Sequence, residues 1–180
     1  RIGTLAAVHR LFKSPDGTLT LIMQGLLRIR VDEFISDSPY LTARVSMASE
    51  SVGTSPEIEA LRRKITEGFG RLTELAPGVP EEMSSIIVNL EDPLQLVYAV
   101  ANQMRTVDLE DSQRLLELDS VTEKLRVLLG LLTREVEVLE LGRKIQSEAQ
   151  SEMEKTQREY FLREQLKAIQ RELGEADEQQ

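Results

Sequence analysis

From residue 119 to residue 180 the chain contains no proline, and this tract constrains the fold more than any other feature. Val121, Leu125, Leu128, Leu132, Val136 and Leu139 step by four, three, four, four and three residues. That spacing belongs to a helix with one buried face. Between residues 142 and 159 the stripe thins to Ile145, Ala149 and Met153 among Glu, Gln, Ser, Arg and Lys. Tyr160, Phe161, Leu162, Leu166, Ile169 and Leu173 then restore apolar positions. As one helix, residues 120–173 would extend about 80 Å at ~1.5 Å per residue. A helix of that length cannot fold back on a small lobe, so its distal half needs a partner, and interaction function is expected there.

The first fifty residues follow a different period. Residues 4–13 are an apolar run closed by Ser14-Pro15-Asp16-Gly17, where Pro presets φ and Gly accepts the positive φ of a hairpin turn. A second strand is expected from residue 18 to about residue 34, with a bulge or bend at Gln24-Gly25. Beyond it Leu27, Ile29 and Val31 should face one way, and Arg28, Arg30 and Asp32 the other. After a turn at Asp37-Ser38-Pro39, Leu41, Ala43, Val45 and Met47 alternate with Thr42, Arg44 and Ser46, the pattern of a half-buried strand. Three antiparallel strands need a covering layer. With no initiator Met at Arg1, an N-terminal truncation is the expectation.

Residues 49–55 form a polar linker, after which the period becomes helical. Ser55 caps a helix with Pro56 at its first position and Ile58, Leu61, Ile65 and Phe69 on one stripe, with Gly68 and Gly70 weakening its end. Residues 76–80, including Pro77, Gly78 and Val79, make a loop. Short helices are expected over residues 81–89, from Pro93 to about Met104 behind an Asp92 cap, and over residues 109–118. The fold class is thus α+β: an antiparallel β lobe (1–50), a helical bundle lobe (51–118) and a very long C-terminal helix (119–180).

Composition excludes several functions. The chain has no Cys, which removes disulfides, thiolate metal sites and Cys nucleophiles. No apolar run approaches the ~18 residues of a membrane-spanning helix. Net charge is −9, and basic residues do not outnumber acidic ones in residues 51–110 or 111–180. Nucleic acid is therefore not an expected partner. Neither Gly-x-x-x-x-Gly-Lys-Ser/Thr nor Gly-x-Gly-x-x-Gly occurs, so no nucleotide site is expected. His9, the single histidine, lacks any accompanying constellation and reads as a structural or exposed position. Glu81-Glu82, Glu91-Asp92 and Glu110-Asp111 fall near helix starts, where negative charge favours the helix dipole. No catalytic, cofactor-binding or metal-ligating residue is expected.

The segment 153–175 includes Gln157-Arg158-Glu159-Tyr160-Phe161-Leu162-Arg163-Glu164-Gln165-Leu166-Lys167-Ala168-Ile169. It resembles the stretch of the Lon protease family that joins the N-terminal domain to the ATPase module. The likeness continues upstream through Pro15-Asp16-Gly17-Thr18, Glu59-Ala60-Leu61-Arg62-Arg63 and Leu115-Leu116-Glu117 to Arg134-Glu135. The resemblance implies a fragment of the N-terminal region, with a truncated β lobe that is barrel-like in the family. It implies a role in substrate recognition and in organising a hexamer. ATP, Mg²⁺ and the Ser–Lys protease chemistry would belong to domains outside these residues. Unfolded or damaged proteins would be the clients, and the cytoplasm the location. Tyr160, Phe161, Leu162 and Leu166 are the candidate client or subunit contacts. A structural coiled-coil spacer and a free-standing adaptor are the competing readings.

Overall fold

The hairpin forms where the Pro-Asp-Gly turn directs it: Gly17 takes φ 86°, its N–H donates to Ser14 O at 2.9 Å, and Ser14 N–H donates to Thr18 O at 2.9 Å. Strand β1 (Ile2–Lys13) pairs antiparallel with β2 (Leu19–Ser36), which pairs antiparallel with β3 (Thr42–Met47), in the order β1-β2-β3. The computed structural model describes all residues except Val52, Pro77, Val79 and 178–180, and side-chain surroundings up to residue 174. Pro77 and Val79 of the expected loop, and Val52 of the linker, therefore lie outside the described residues.

The bulge expected at Gln24-Gly25 is present one residue on: Leu5 pairs with Leu27 and Ala6 with Gly25, which leaves Leu26 without a partner. A second irregularity leaves His9 unpaired between Val8 and Arg10. The His9 ring bonds Gln24 at 2.9 Å on the exposed surface.

One expectation about the sheet is corrected. Strand β3 does not bury its apolar face: Val45 and Met47 are exposed, Met47 by 78%, Ala43 is only partly covered, and Leu41 just before the strand is exposed too. Among the described residues no second layer covers that face. On the face of β2 that carries Arg28, Arg30 and Asp32, Arg28 is buried.

Four helices separate the sheet from the long C-terminal helix. Helix α1 (Pro56–Leu75) starts as its sequence dictates, with the Ser55 side chain accepting from Ile58 N–H at 3.2 Å. The helix runs past Gly68 and Gly70 to Leu75. A Cβ at Gly68 would lie 3.0 Å from Leu132 Cδ2, so glycine here permits a close helix approach. Helix α2 (Glu81–Val88) carries both acids in its first turn. Helix α3 (Pro93–Gln103) is capped by Asp92, which accepts from Leu94 N–H at 2.8 Å, and α4 (Leu109–Glu117) by Asp108, which accepts from Asp111 N–H at 2.8 Å. These caps satisfy otherwise orphaned N–H groups, each worth about 1 kcal/mol.

Helix α5 (Val121–Asp177) is unbroken through Gly142. Its Val121, Leu125, Leu128 and Leu132 are buried, in one core with Ile65 and Phe69 of α1, Leu96, Val97 and Val100 of α3, and Leu115 of α4. Full burial of each Leu, Ile or Phe contributes about 1.5–3 kcal/mol. Val136 and Leu139 are only half-buried. By packing, the chain divides into Arg1–Val136 and Glu137–Gln180. The expected boundaries at 50/51 and 118/119 lie just beyond the ends of β3 and α4.

Candidate functional site

The first unit holds a buried polar cluster that the sequence did not announce. Arg28 reaches from β2 to the C-terminus of α4. Its Nε donates to Leu116 O at 2.7 Å, and Nη2 donates to Glu117 O at 3.0 Å and Asp119 Oδ1 at 2.7 Å. Its Nη1 donates to Ala48 O and Ser49 O, both at 3.4 Å. A strand residue thus supplies the cation that the carbonyl end of a helix favours. Its hydrogen bond and charge hold the Asp119 carboxyl below the usual range.

Lys124 on α5 is fully buried. Its ammonium donates to Glu50 Oε1 at 2.8 Å, the Tyr98 hydroxyl at 2.8 Å and Leu115 O at 2.5 Å. The Tyr98 hydroxyl donates to Glu50 Oε1 at 2.6 Å. Burial lowers the Lys124 pKa against the opposing pull of Glu50. Burial, then the bond to Glu50, drives the Tyr98 pKa upward. The 49–55 linker is also stapled to the start of α5, with Ser51 N–H donating to Asp119 O at 2.9 Å and Val121 N–H to Ser51 O at 3.3 Å. Glu135 fixes the turn before α4, accepting from Arg105 N–H at 3.2 Å and the Thr106 hydroxyl at 2.9 Å.

These contacts hold the lobe together. They bring no nucleophile to a base, and no group of three or more His, Asp or Glu suited to a metal exists among the described residues. No helix is long and apolar enough to cross a membrane. One signal for Lys124 was available: it stands three residues after Val121 and four before Leu128, on the apolar stripe itself. A lysine there must be buried with a partner or must break the face.

In the second unit every described residue from 141 to 174 is exposed. Tyr160, Phe161, Leu162 and Leu166 are exposed by 68%, 60%, 53% and 56%. Helical geometry turns each residue about 100° from the last. Tyr160 therefore continues the stripe of Ile145, Ala149 and Met153. Leu162 and Leu166 begin a second stripe with Ile169 and Leu173, and Phe161 stands between the two. The four candidates surround the helix and do not converge on one spot. Ion pairs at Lys144–Glu148, Glu152–Lys155 and Glu164–Lys167 occupy the helix between and beside them.

Residues 1–134 match the family model of the ATP-dependent protease La (LON) substrate-binding domain. The chain belongs to this family. It is 42% identical over 177 residues to the Lon protease of Dictyoglomus thermophilum, covering 98% of this chain and 22% of that protein. It is 43% identical over 182 residues to Lon protease 1 of Herpetosiphon aurantiacus, again 22% of that protein. The chain thus spans about a fifth of the length of the curated Lon relatives it matches. The N-terminal domain of Mycobacterium avium complex Lon protease has the same fold, with TM-score 0.63 at 22% identity over 73% of this chain and 69% of that one. The Lon substrate-binding match ends at residue 134, beside the packing division after Val136.

Proposed function

We propose that this chain is the client-recognition and assembly-organising region of a Lon-type ATP-dependent serine protease, and that it contributes no catalytic group. The observation carrying this reading is the set of large apolar side chains on α5 beyond residue 140, each more than half exposed. Misfolded proteins expose apolar segments, and apolar stripes left uncovered along a helix offer them matching surface. Each contact is weak. Repeated around a hexamer, several would act together and gain affinity through effective concentration. ATP and Mg²⁺ would act in an ATPase module outside these residues, and the protein would work in the cytoplasm with neither nucleic acid nor membrane as partner.

A second reading, a coiled-coil spacer, is favoured by Leu162, Leu166, Ile169 and Leu173, whose spacing of four, three and four fits an a/d seam. Paired alanine substitutions separate the two. In the full-length protein, Phe161→Ala with Leu162→Ala should lower the efficiency of unfolded-client degradation about tenfold, as loss of a contact hot spot does. Unstimulated ATP hydrolysis should stay near the parent value. Equal falls in both activities, together with loss of assembly, would support the spacer. Unaltered client degradation by the folded variant would remove these residues from the functional account.

A further inference from the structure

The sheet meets the helices of the first unit through a polar joint. Of residues 1–48 only Arg28 and Ala48 are buried, so little apolar surface holds the strands against α4 and α5. Ala48 stays with the sheet, its N–H donating to Arg28 O at 3.1 Å. Ser51 belongs to the helical side, bonded in both directions to the start of α5 at Asp119 and Val121. Glu50 is held there as well, by Tyr98 and Lys124. Between them Ser49 is exposed and lies in neither strand nor helix, which makes it the free link of the joint. Where two packed bodies share a small polar boundary, relative motion is the default.

One planar group spans this joint. Arg28 Nη1 donates to the carbonyls of Ala48 and Ser49, at the end of the sheet and at the link. Its Nε and Nη2 donate to Leu116 O, Glu117 O and Asp119 Oδ1 on the far side. A guanidinium carries its N–H groups in a fixed fork, so acceptors placed around it on both bodies set the angle between them. The other tether, Gln113 Nε2 to Ile2 O at 3.0 Å, is a neutral bond from an amide that also donates to Glu117. The Arg28 side chain keeps 5% of its exposure, whereas Asp119 keeps 64% and opens the clamp to solvent on that side. Breaking the clamp does not require the helical core to come apart. The largest fully buried side chains, from Ile65 and Phe69 to Leu132, all come from α1, α3, α4 and α5.

We propose that Arg28 is a conformational latch. Closed, it holds the sheet in one orientation on α4 and the start of α5; open, it lets the sheet swing as a body about Ser49, with both parts still folded. The proposal does not depend on the client-binding reading above. The test is spin-label distance measurement by double electron–electron resonance on the 180-residue chain, whose lack of Cys leaves introduced labels without background. Lys13→Cys with Glu67→Cys reports across the joint. Glu67→Cys with Glu110→Cys reports within the helices, and Lys13→Cys with Asp37→Cys within the sheet. All four positions are exposed. In the parent each pair should give a narrow distribution. Arg28→Met should widen the distribution across the joint at least about twofold and leave the other two unchanged. Arg28→Lys should do the same, because an ammonium lacks the planar fork. An unchanged width across the joint in Arg28→Met, or a wide one already in the parent, would overturn the latch. Widening of all three pairs would do so too, since it would mark Arg28 as a support of the fold itself. A narrow distribution kept by Arg28→Lys would show that charge alone suffices, against the forked clamp.

Discussion

Lys124→Ala is expected to lower the stability of the first unit by about 3 kcal/mol, because removing one partner of a buried ion pair leaves the other uncompensated. The Glu50 side chain keeps only 15% of its exposure, and with Lys124 gone its remaining partner is the Tyr98 hydroxyl. The Leu115 carbonyl loses its contact at the same time. Urea unfolding followed by circular dichroism should show a midpoint about 1–2 M lower. Lys124→Met with Glu50→Gln removes both charges and fills much of the same volume. That pair should be less destabilising than Lys124→Ala alone, since an apolar replacement of a whole ion pair is often nearly neutral. A Lys124→Ala midpoint within error of the parent would show that the cluster contributes little.

Amide exchange should change steeply along α5. Residues 121–136 are anchored by Val121, Leu125, Leu128 and Leu132 in the core and should approach the protection of global unfolding. Residues 141–174 are exposed throughout, and helices without tertiary support are marginal in water even with favourable propensity. In dilute solution their protection should be lower by several orders of magnitude. Raising the concentration should increase it if copies pair through the distal helix. Uniform, concentration-independent protection through Leu173 would show that the helix sustains itself.

The contrast between the two units tracks what was legible in the sequence. The α5 stripe from Val121 to Leu139, the Ser55-Pro56 and Asp92-Pro93 starts and the Gly17 turn were all readable, because each is a local rule acting within a few residues. The contacts of Arg28 were not. Its partners lie 20 to 91 positions away in the chain, and an arginine in an alternating strand looks like any solvent position. Tyr98 and Glu50 were hidden for the same reason: nothing local records which distant carboxylate meets which hydroxyl. The exposed β3 face is the converse case. Alternation in Leu41, Ala43, Val45 and Met47 records the capacity for burial, while actual burial depends on a covering layer elsewhere in space. As for the candidate surface, the four residues were legible as apolar and unpartnered. Their arrangement around the helix follows from the 100° step, and no sequence signal says what they touch.

The central claim is that an unfolded client touches the distal helix through its apolar residues. Its most direct test is photo-crosslinking of the chain with p-benzoylphenylalanine at position 161, at position 162 or at position 147. Ser147 is the control, because its helical neighbours Arg143, Lys144, Gln150 and Ser151 are all polar. With a carboxymethylated, unfolded protein as client, positions 161 and 162 should crosslink strongly and position 147 weakly. Excess unfolded competitor should suppress the signal, and the same protein in its folded form should not. Equal yields at all three positions, or crosslinks only between copies of the chain, would contradict the account.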